Sequence, residues 1–367
     1  MSSDRLYQIA LTLVPMVGDL TAKKLIAYCG SAEAVFKESQ KSLMSIPGVG
    51  SVLSKSIASH RYFSRAEAEL DFMQKNAIQC HYFTEAAYPY RLKQCEDAPI
   101  LIYMKGDVDL NSMRVVSVVG TRKATDYGRQ VVDELVKDVS DLGDVMVVSG
   151  LAYGIDVAAH KASLKYKIPT LGVLAHGLDR VYPSVHSSVA IDMQKEGGLI
   201  SDFMSETSIE RENFPKRNRI IAGLSDATVV VEARKKGGAL ITADIANSYH
   251  RDVFAVPGRI GDENSEGCNT LIRRNQAALI QSAEDLNYLM GWEADFHKKE
   301  EDKKDRWDDL SEQEKVLMLL LSDKEKWFID DLNSQVDFSP SEMMSLLLNL
   351  ELKGLLKSLP GNQYLKV

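Results

Sequence analysis

Residues 115–120 read Val-Val-Ser-Val-Val-Gly, and residues 145–150 read Val-Met-Val-Val-Ser-Gly. Both runs are short, apolar and rich in β-branched side chains, and both end on a glycine. Each is followed by an amphipathic pattern, starting near Asp126 after the first and near Asp156 after the second. A strand covered on both faces shows no polar alternation, so continuous apolar runs punctuated by helices predict a parallel sheet. Working outward, the same rhythm recurs in TLGVLAHG (170–177), GGLISDF (197–203), DATVVVEA (226–233) and DVFAVPG (252–258). The prediction for 111–290 is an α/β, Rossmann-like, mostly parallel sheet. Its ligand belongs outside the carboxyl ends of the strands, where strand order reverses.

The flanks read differently. Residues 1–65 read as short helices, with Ile46-Pro47-Gly48-Val49-Gly50 leading into SVLSKSIASHRYF and a degenerate copy, Val14-Pro15-Met16-Val17-Gly18, leading into TAKKLIAYCGS. That is the form of a helix-hairpin-helix or SAM-like domain. Its turn can bring backbone N–H groups to a phosphate, or serve only for packing and protein contacts. Residues 66–110 bridge into the core and end in a strand-like run at Gly106-Asp107. Residues 291–309 are a charged linker, and 310–367 read as helices followed by a hairpin, a winged-helix-like order. The tail is net acidic, which favours protein docking over DNA reading.

With 367 residues, the chain is long enough for two or three domains. No apolar run reaches the roughly 20 residues of a membrane span, and the start lacks a secretory pattern, so a cytoplasmic protein without a membrane partner is expected. A net charge of −8 excludes bulk attraction to nucleic acid and requires any such site to be a local basic patch. The four cysteines are too scattered for a zinc site or a disulfide scaffold. Cys268 reads as a small buried apolar group rather than a nucleophile. No metal and no cofactor is expected.

The candidate ligand groups fall at strand ends. Gly120-Thr121-Arg122 offers close backbone approach, a hydroxyl and a guanidinium suited to phosphate, without the glycines of a dinucleotide fingerprint. Ser149-Gly150 opens a small-residue loop into a helix, an N–H nest with Ser149 as an added donor. Asp156 and His160 lie four apart on that helix, and a hydrogen bond between them explains the pair better than catalysis. Phe214-Pro215-Lys216-Arg217-Asn218-Arg219, with Arg211 upstream, concentrates bases at a helix start, where they oppose the helix dipole unless an anion binds. Phe214 beside them is either a stacking platform for a base or a core residue. Arg234-Lys235-Lys236-Gly237-Gly238 is a further basic loop, and Arg251 and Arg259 flank the strand 252–258. So many basic loops suit an extended polyanion. Walker A, HExxH and GxSxG patterns are absent from the sequence.

In order along the chain, VGTRKATDYG, SGLAYGIDVAAH, GLDRVYP, FPKRNRIIAGLSDATVVVEA, GGALITADIA and VFAVPG with GCNTLI closely resemble the DNA-processing protein A (DprA, or Smf) family over about residues 85–290. The resemblance implies a bacterial protein that binds single-stranded DNA, protects it during natural transformation and loads the RecA recombinase. It also implies a homodimer formed through the Rossmann-like domain, and no enzyme activity. It places DNA contacts on Arg122 and on Arg211, Phe214, Lys216, Arg217 and Arg219, and the dimer contact around Ile272 and Ala278. The chain departs from the family at Gly237-Gly238-Ala239, often Ser-Gly-Ser, and at Asn275-Gln276, often Gly-Ala. The rival reading is a nucleotide phosphoribohydrolase-like enzyme. Of its Pro-Gly-Gly-x-Gly-Thr-x-x-Glu signature, however, only the glycine pair and an acid, Asp244, survive here.

Overall fold

A computed structural model describes residues 3–292, 310–321, 327–336, 338–353, 355–359 and 363–366. The chain opens with α1 (Ser3–Leu13), α2 (Asp19–Cys29), α3 (Ala32–Lys37), α4 (Gln40–Met44), α5 (Ser51–Ala58) and α6 (Phe63–Lys75). The two hairpin copies seen in the sequence adopt one geometry. Val17 N donates to Val14 O and Val49 N to Ile46 O, both at 3.0 Å. Gly18 (φ −85°, ψ 174°) and Gly50 (φ −89°, ψ 177°) start α2 and α5 from the same extended conformation. The turn requires a left-handed residue, which is Gly48 (φ 89°) in one copy and Met16 (φ 68°) in the other. An L side chain is disfavoured in that region, so the first copy is the more strained.

The sheet follows. Its elements are β1 (Gln79–Tyr82), α7 (Tyr90–Lys93), β2 (Leu101–Gly106), β3 (Arg114–Val119), α8 (Asp126–Ser140), β4 (Val145–Ser149), α9 (Ile155–Lys165), β5 (Thr170–Val173), α10 (Ser187–Met193), β6 (Gly197–Ser201), α11 (Asn213–Leu224), β7 (Ala227–Val230), α12 (Gly238–Ser248), β8 (Asp252–Ala255), α13 (Glu266–Arg273), β9 (Ala278–Leu279) and α14 (Ala283–Met290). Strand order is β1-β2-β6-β5-β4-β3-β7-β8-β9. Pairing from β6 to β9 is parallel, whereas β1–β2 and β2–β6 are antiparallel. From β3 the chain steps outward through β4, β5 and β6, then returns to the other side of β3 as β7. Strand order therefore reverses between β3 and β7, and the crevice outside their carboxyl ends is the position for a ligand.

Every residue of β3, β4 and β6 is buried, as the continuous apolar runs require. The sequence pattern overran the strands at 170–177 and 226–233, where pairing stops at Val173 and Val230. The residues beyond turn out of the sheet into the crevice loops.

Two core clusters of the described residues pack against the sheet. One joins Ile9, Leu25, Val35 and Ile57 of the opening helices to Ile100, Tyr103, Leu151, Leu174 and Met193. The other gathers Ile102, Val115, Met146, Ile221, Ala243 and Cys268. The first core crosses residues 65 and 110 without a break, and the stretch up to Trp292 forms one compact unit. Within residues 66–110, β1 and β2 extend the sheet.

The second unit has its own core of Leu317, Met318, Leu332, Met343, Leu347 and Leu350. Helices Glu312–Leu321, Ile329–Gln335 and Pro340–Leu352 are accompanied by an antiparallel sheet in which the last strand, Gln363–Lys366, lies between Trp327–Phe328 and Leu356–Leu359. This is a winged helix. Ser339 and Glu342 close a capping box at the start of its third helix, with Pro340 in the first turn. Of the charged linker, residues 293–309 lie outside the described residues.

Candidate nucleic-acid interface

The loop leaving β3 is held at both ends. A Cβ on Gly120 would lie 2.4 Å from Ile155 Cγ1, so only glycine lets α9 approach β3 this closely. Thr121 N donates to Glu232 O at 2.7 Å. Farther along, the buried Glu232 carboxylate accepts from Thr125 N at 3.0 Å and Thr125 Oγ1 at 2.5 Å. Thr125 Oγ1 in turn accepts from Gly128 N and caps α8. Between these anchors Arg122 and Lys123 project into solvent. The Arg122 guanidinium lies 5.1 Å from the centre of the Phe214 ring, in cation–π contact. Tyr182 meets the other aromatic at 6.2 Å, and Tyr182 and Tyr153 are both exposed.

The loop leaving β4 packs against the first. Gly154 has φ 81°, and a Cβ there would fall 2.1 Å from Thr121 O. Under this loop lies Arg217, 4% exposed, which donates through Nη1 to Gly150 O (2.6 Å) and Val173 O. The guanidinium fills the space where a Gly150 side chain would sit. Burial pulls Arg217 down to about 10, with Asp156 opposing the shift. Burial likewise raises the Asp156 carboxyl, and Arg217 counters it. Asp156 does not bond His160. His160 Nδ1 pairs instead with Thr170 Oγ1 at 2.7 Å, and burial, with the Arg217 and His186 charges adding, lowers it to about 3. The Asp–His hydrogen bond expected from their spacing is thus corrected: Asp156 accepts from Ala152 N at 3.4 Å within its own loop and faces the Arg217 charge, while His160 is drawn to Thr170 on β5.

The basic positions divide into two groups. Arg211, Lys216, Arg234, Lys235 and Lys236 are exposed, and Arg234 contacts Glu263 at 3.1 Å. Others are consumed internally. Arg219 bridges Asp19 (2.9 Å) and Asp202 (2.8 Å) and donates to Asp97 O. The Ser149 hydroxyl, expected to face a ligand, is fully buried and donates to Val118 O at 2.6 Å. Asn218 is buried between Arg217 and Gly238 O. Arg251 precedes β8, at the opposite end of the parallel strands from the crevice, and donates to Arg91 O and Gln94 Oε1. Of the positions expected to contact DNA, Ser149, Arg217, Asn218, Arg219 and Arg251 thus have their polar groups engaged within the chain. Gly237 and Gly238 start α12 beside the exposed basic loop. Ile272 is half-buried on α13, and Ala278 lies exposed on β9, the last strand of the sheet. Cys268 is buried against Val230 O with its thiol raised to about 12 by burial, an inert group.

Residues 79–291 match the family model described as DNA recombination-mediator protein A, and residues 301–362 match the DprA winged helix domain. The chain belongs to the DNA recombination-mediator protein A family. The DNA processing protein DprA of Bacillus subtilis is 44% identical over 62% of this chain and 76% of its own length. That of Streptococcus pneumoniae is 35% identical over 62% and 79%. The solved structure of the Streptococcus pneumoniae protein covers 78% of this chain and 97% of its own, with 29% identity and a TM-score of 0.67. A DNA processing protein A from Helicobacter pylori, described by its single-stranded DNA binding mode, covers 58% of this chain and 96% of its own (26% identity, TM-score 0.53).

In this member of the recombination-mediator family, sequence reasoning passed over Glu232, Lys123 and the exposed rings of Tyr153 and Tyr182. Glu232 stands at the end of the apolar run DATVVVEA, and nothing local marks its carboxylate as a partner of the Thr121–Thr125 loop. Its burial under the Thr121–Thr125 loop arises from the contact between β7 and β3. Tyr182 stood in the quoted GLDRVYP motif, but nothing local indicates that its ring meets Phe214.

Proposed function

We propose that this chain binds single-stranded DNA across the crevice between β3 and β7 and acts as a recombination mediator. The observation that carries this reading is the Arg122–Phe214 pair. An exposed guanidinium on a rigid loop is stacked on an aromatic ring at the strand-order reversal, beside two glycine-bearing loops. Arg122, Lys123, Arg211 and Lys216 supply phosphate contacts, and Phe214 with Tyr182 supplies faces for bases. The loop Arg234–Gly238 continues the basic track. Arg217 contributes as a buried positive charge beneath the nest rather than as a contact.

Family membership supports the further steps: protection of single strands, loading of the RecA recombinase, action in the cytoplasm without catalysis, and a homodimer built through the Rossmann-like domain near Ile272 and Ala278. The exposed edge strand β9 suits such symmetric pairing. Affinity for single strands should exceed that for duplex, vary little with sequence and fall steeply with salt, because each phosphate contact releases counterions. Anisotropy titrations of single- and double-stranded DNA over a salt series test this. A flat salt response or a preference for duplex would overturn it. Incubation with nucleoside monophosphates, with free base as the readout, tests the phosphoribohydrolase alternative.

A further inference from the structure

A groove of about 650 Å3 opens between the first turn of α11, the end of α12 and the turn at Gly18. Its lining includes Pro215, Lys216, Ile245, Ser248 and Tyr249, and does not include Phe214. Lys216 is exposed and stands two residues from Phe214, so a strand seated on the Arg122–Phe214 stack reaches the groove over Lys216.

The walls and floor differ in chemistry. Pro215, Ile245 and the Tyr249 ring give flat or branched apolar surface. The carboxylates of the floor are already engaged. Asp19 pairs with Arg219 and accepts from Ile100 N at 3.0 Å, while Tyr249 Oη donates to Asp97. Lys23, which donates to Glu96 O, adds a further positive charge near Asp19 and Asp97. Arg219 also lines the groove but is already held by Asp19 and Asp202. A phosphate inside would therefore meet Asp19 and Asp97 beside an engaged guanidinium and is disfavoured there, whereas the exposed Lys216 ammonium attracts one. Apolar walls, a polar floor and a cation at the entrance match a nucleobase inside and its phosphate outside.

We infer that this groove is a second nucleobase subsite on the same DNA strand, with Lys216 holding the intervening phosphate and Pro215, Ile245 and Tyr249 enclosing the base. This deepens the single-strand reading above and rests on it. The subsite gives the strand a defined path away from the strand ends and along α11, toward the first hairpin.

The test uses the full chain and oligodeoxynucleotides carrying one 5-iodouracil at successive positions, photo-crosslinked and mapped by mass spectrometry. One register should crosslink to Tyr249, and a different register to the rings near Phe214. Ser248→Leu, at an exposed position on the rim, should keep the melting temperature and abolish the Tyr249 crosslink. It should also weaken strands long enough to enter the groove by roughly fivefold or more, the worth of one stacked base, and leave shorter strands unaffected. Crosslinks confined to Phe214, Tyr182 and Tyr153 in every register, or an unchanged length profile in Ser248→Leu, would overturn the subsite. Arg122→Ala separates the two ideas. If it weakens all strands while Tyr249 never crosslinks, the single-strand reading stands and the subsite falls. If Arg122→Ala changes nothing at any length, the reading beneath both falls.

Discussion

The loop after β3 and the first turns of α11 look alike in sequence, since each sets cations beside small or aromatic residues, yet they use those cations in opposite ways. Arg122 stands on a loop whose backbone is pinned by Glu232 and whose guanidinium reaches solvent over Phe214. Arg217, three residues beyond Phe214, points inward and holds the ends of β4 and β5 through Gly150 O and Val173 O. The difference shows that a basic run does not by itself make a basic surface. Helix α11 packs against the strand ends, so only the fraction of its cations on the outer face can meet a ligand. The inner ones become scaffold for the loops that do.

The sharpest way to break this comparison is Arg217→Ala. It leaves Asp156 without its counter-charge and two buried carbonyls without a donor, and should cost about 3–5 kcal/mol of stability by denaturant melting. A variant as stable as the parent would show that Arg217 is not a structural tie. Arg122→Ala should do the reverse, weakening single-strand affinity by about 1.5–3 kcal/mol with an unchanged melting temperature. Loss of stability there would mean that the Thr121–Thr125 loop depends on the guanidinium rather than on Glu232.

A finer test uses pH. His160 is buried and held neutral, lowered from 6.5 to about 3 by burial. The unfolded chain takes up this proton as pH falls below 6.5 and the folded chain does not. The stabilisation is therefore present above pH 6.5 and is lost progressively as pH falls toward 3, at up to about 1.4 kcal/mol per pH unit. His160→Gln should flatten that slope in urea melts at graded pH, and an identical slope would assign acid lability to other groups. The smallest effect is expected from removing the tail. A chain ending at Trp292 should keep nearly all single-strand affinity, since a net acidic winged helix offers little to a phosphate backbone. A large loss on gel shift would move the site out of the crevice.

The helix-hairpin-helix turns were readable because their geometry is local. A Pro–Gly or Pro–Met step, a left-handed residue and an extended glycine specify the turn whatever surrounds it. The antiparallel strand β1 was less visible, since four residues such as Gln79–Tyr82 carry too little periodicity to declare a strand, whereas β2 showed as the apolar run ending at Gly106. Arg219 was read as a DNA contact because Asp19 and Asp202, which claim it, lie 200 and 17 residues away.

By itself the sequence determined the alternating α/β order, the glycines that admit close backbone approach and the concentration of cations around residues 211–236. These depend on neighbours along the chain, and local sterics and hydrophobic period suffice to read them. Only the tertiary structure decided which cations face solvent, that Glu232 anchors the Arg122 loop and that Phe214 and Arg122 meet. Each of those outcomes depends on a partner from a distant strand or helix. Desolvation and charge pairing on packing choose between partner and solvent, and no sequence interval encodes that choice.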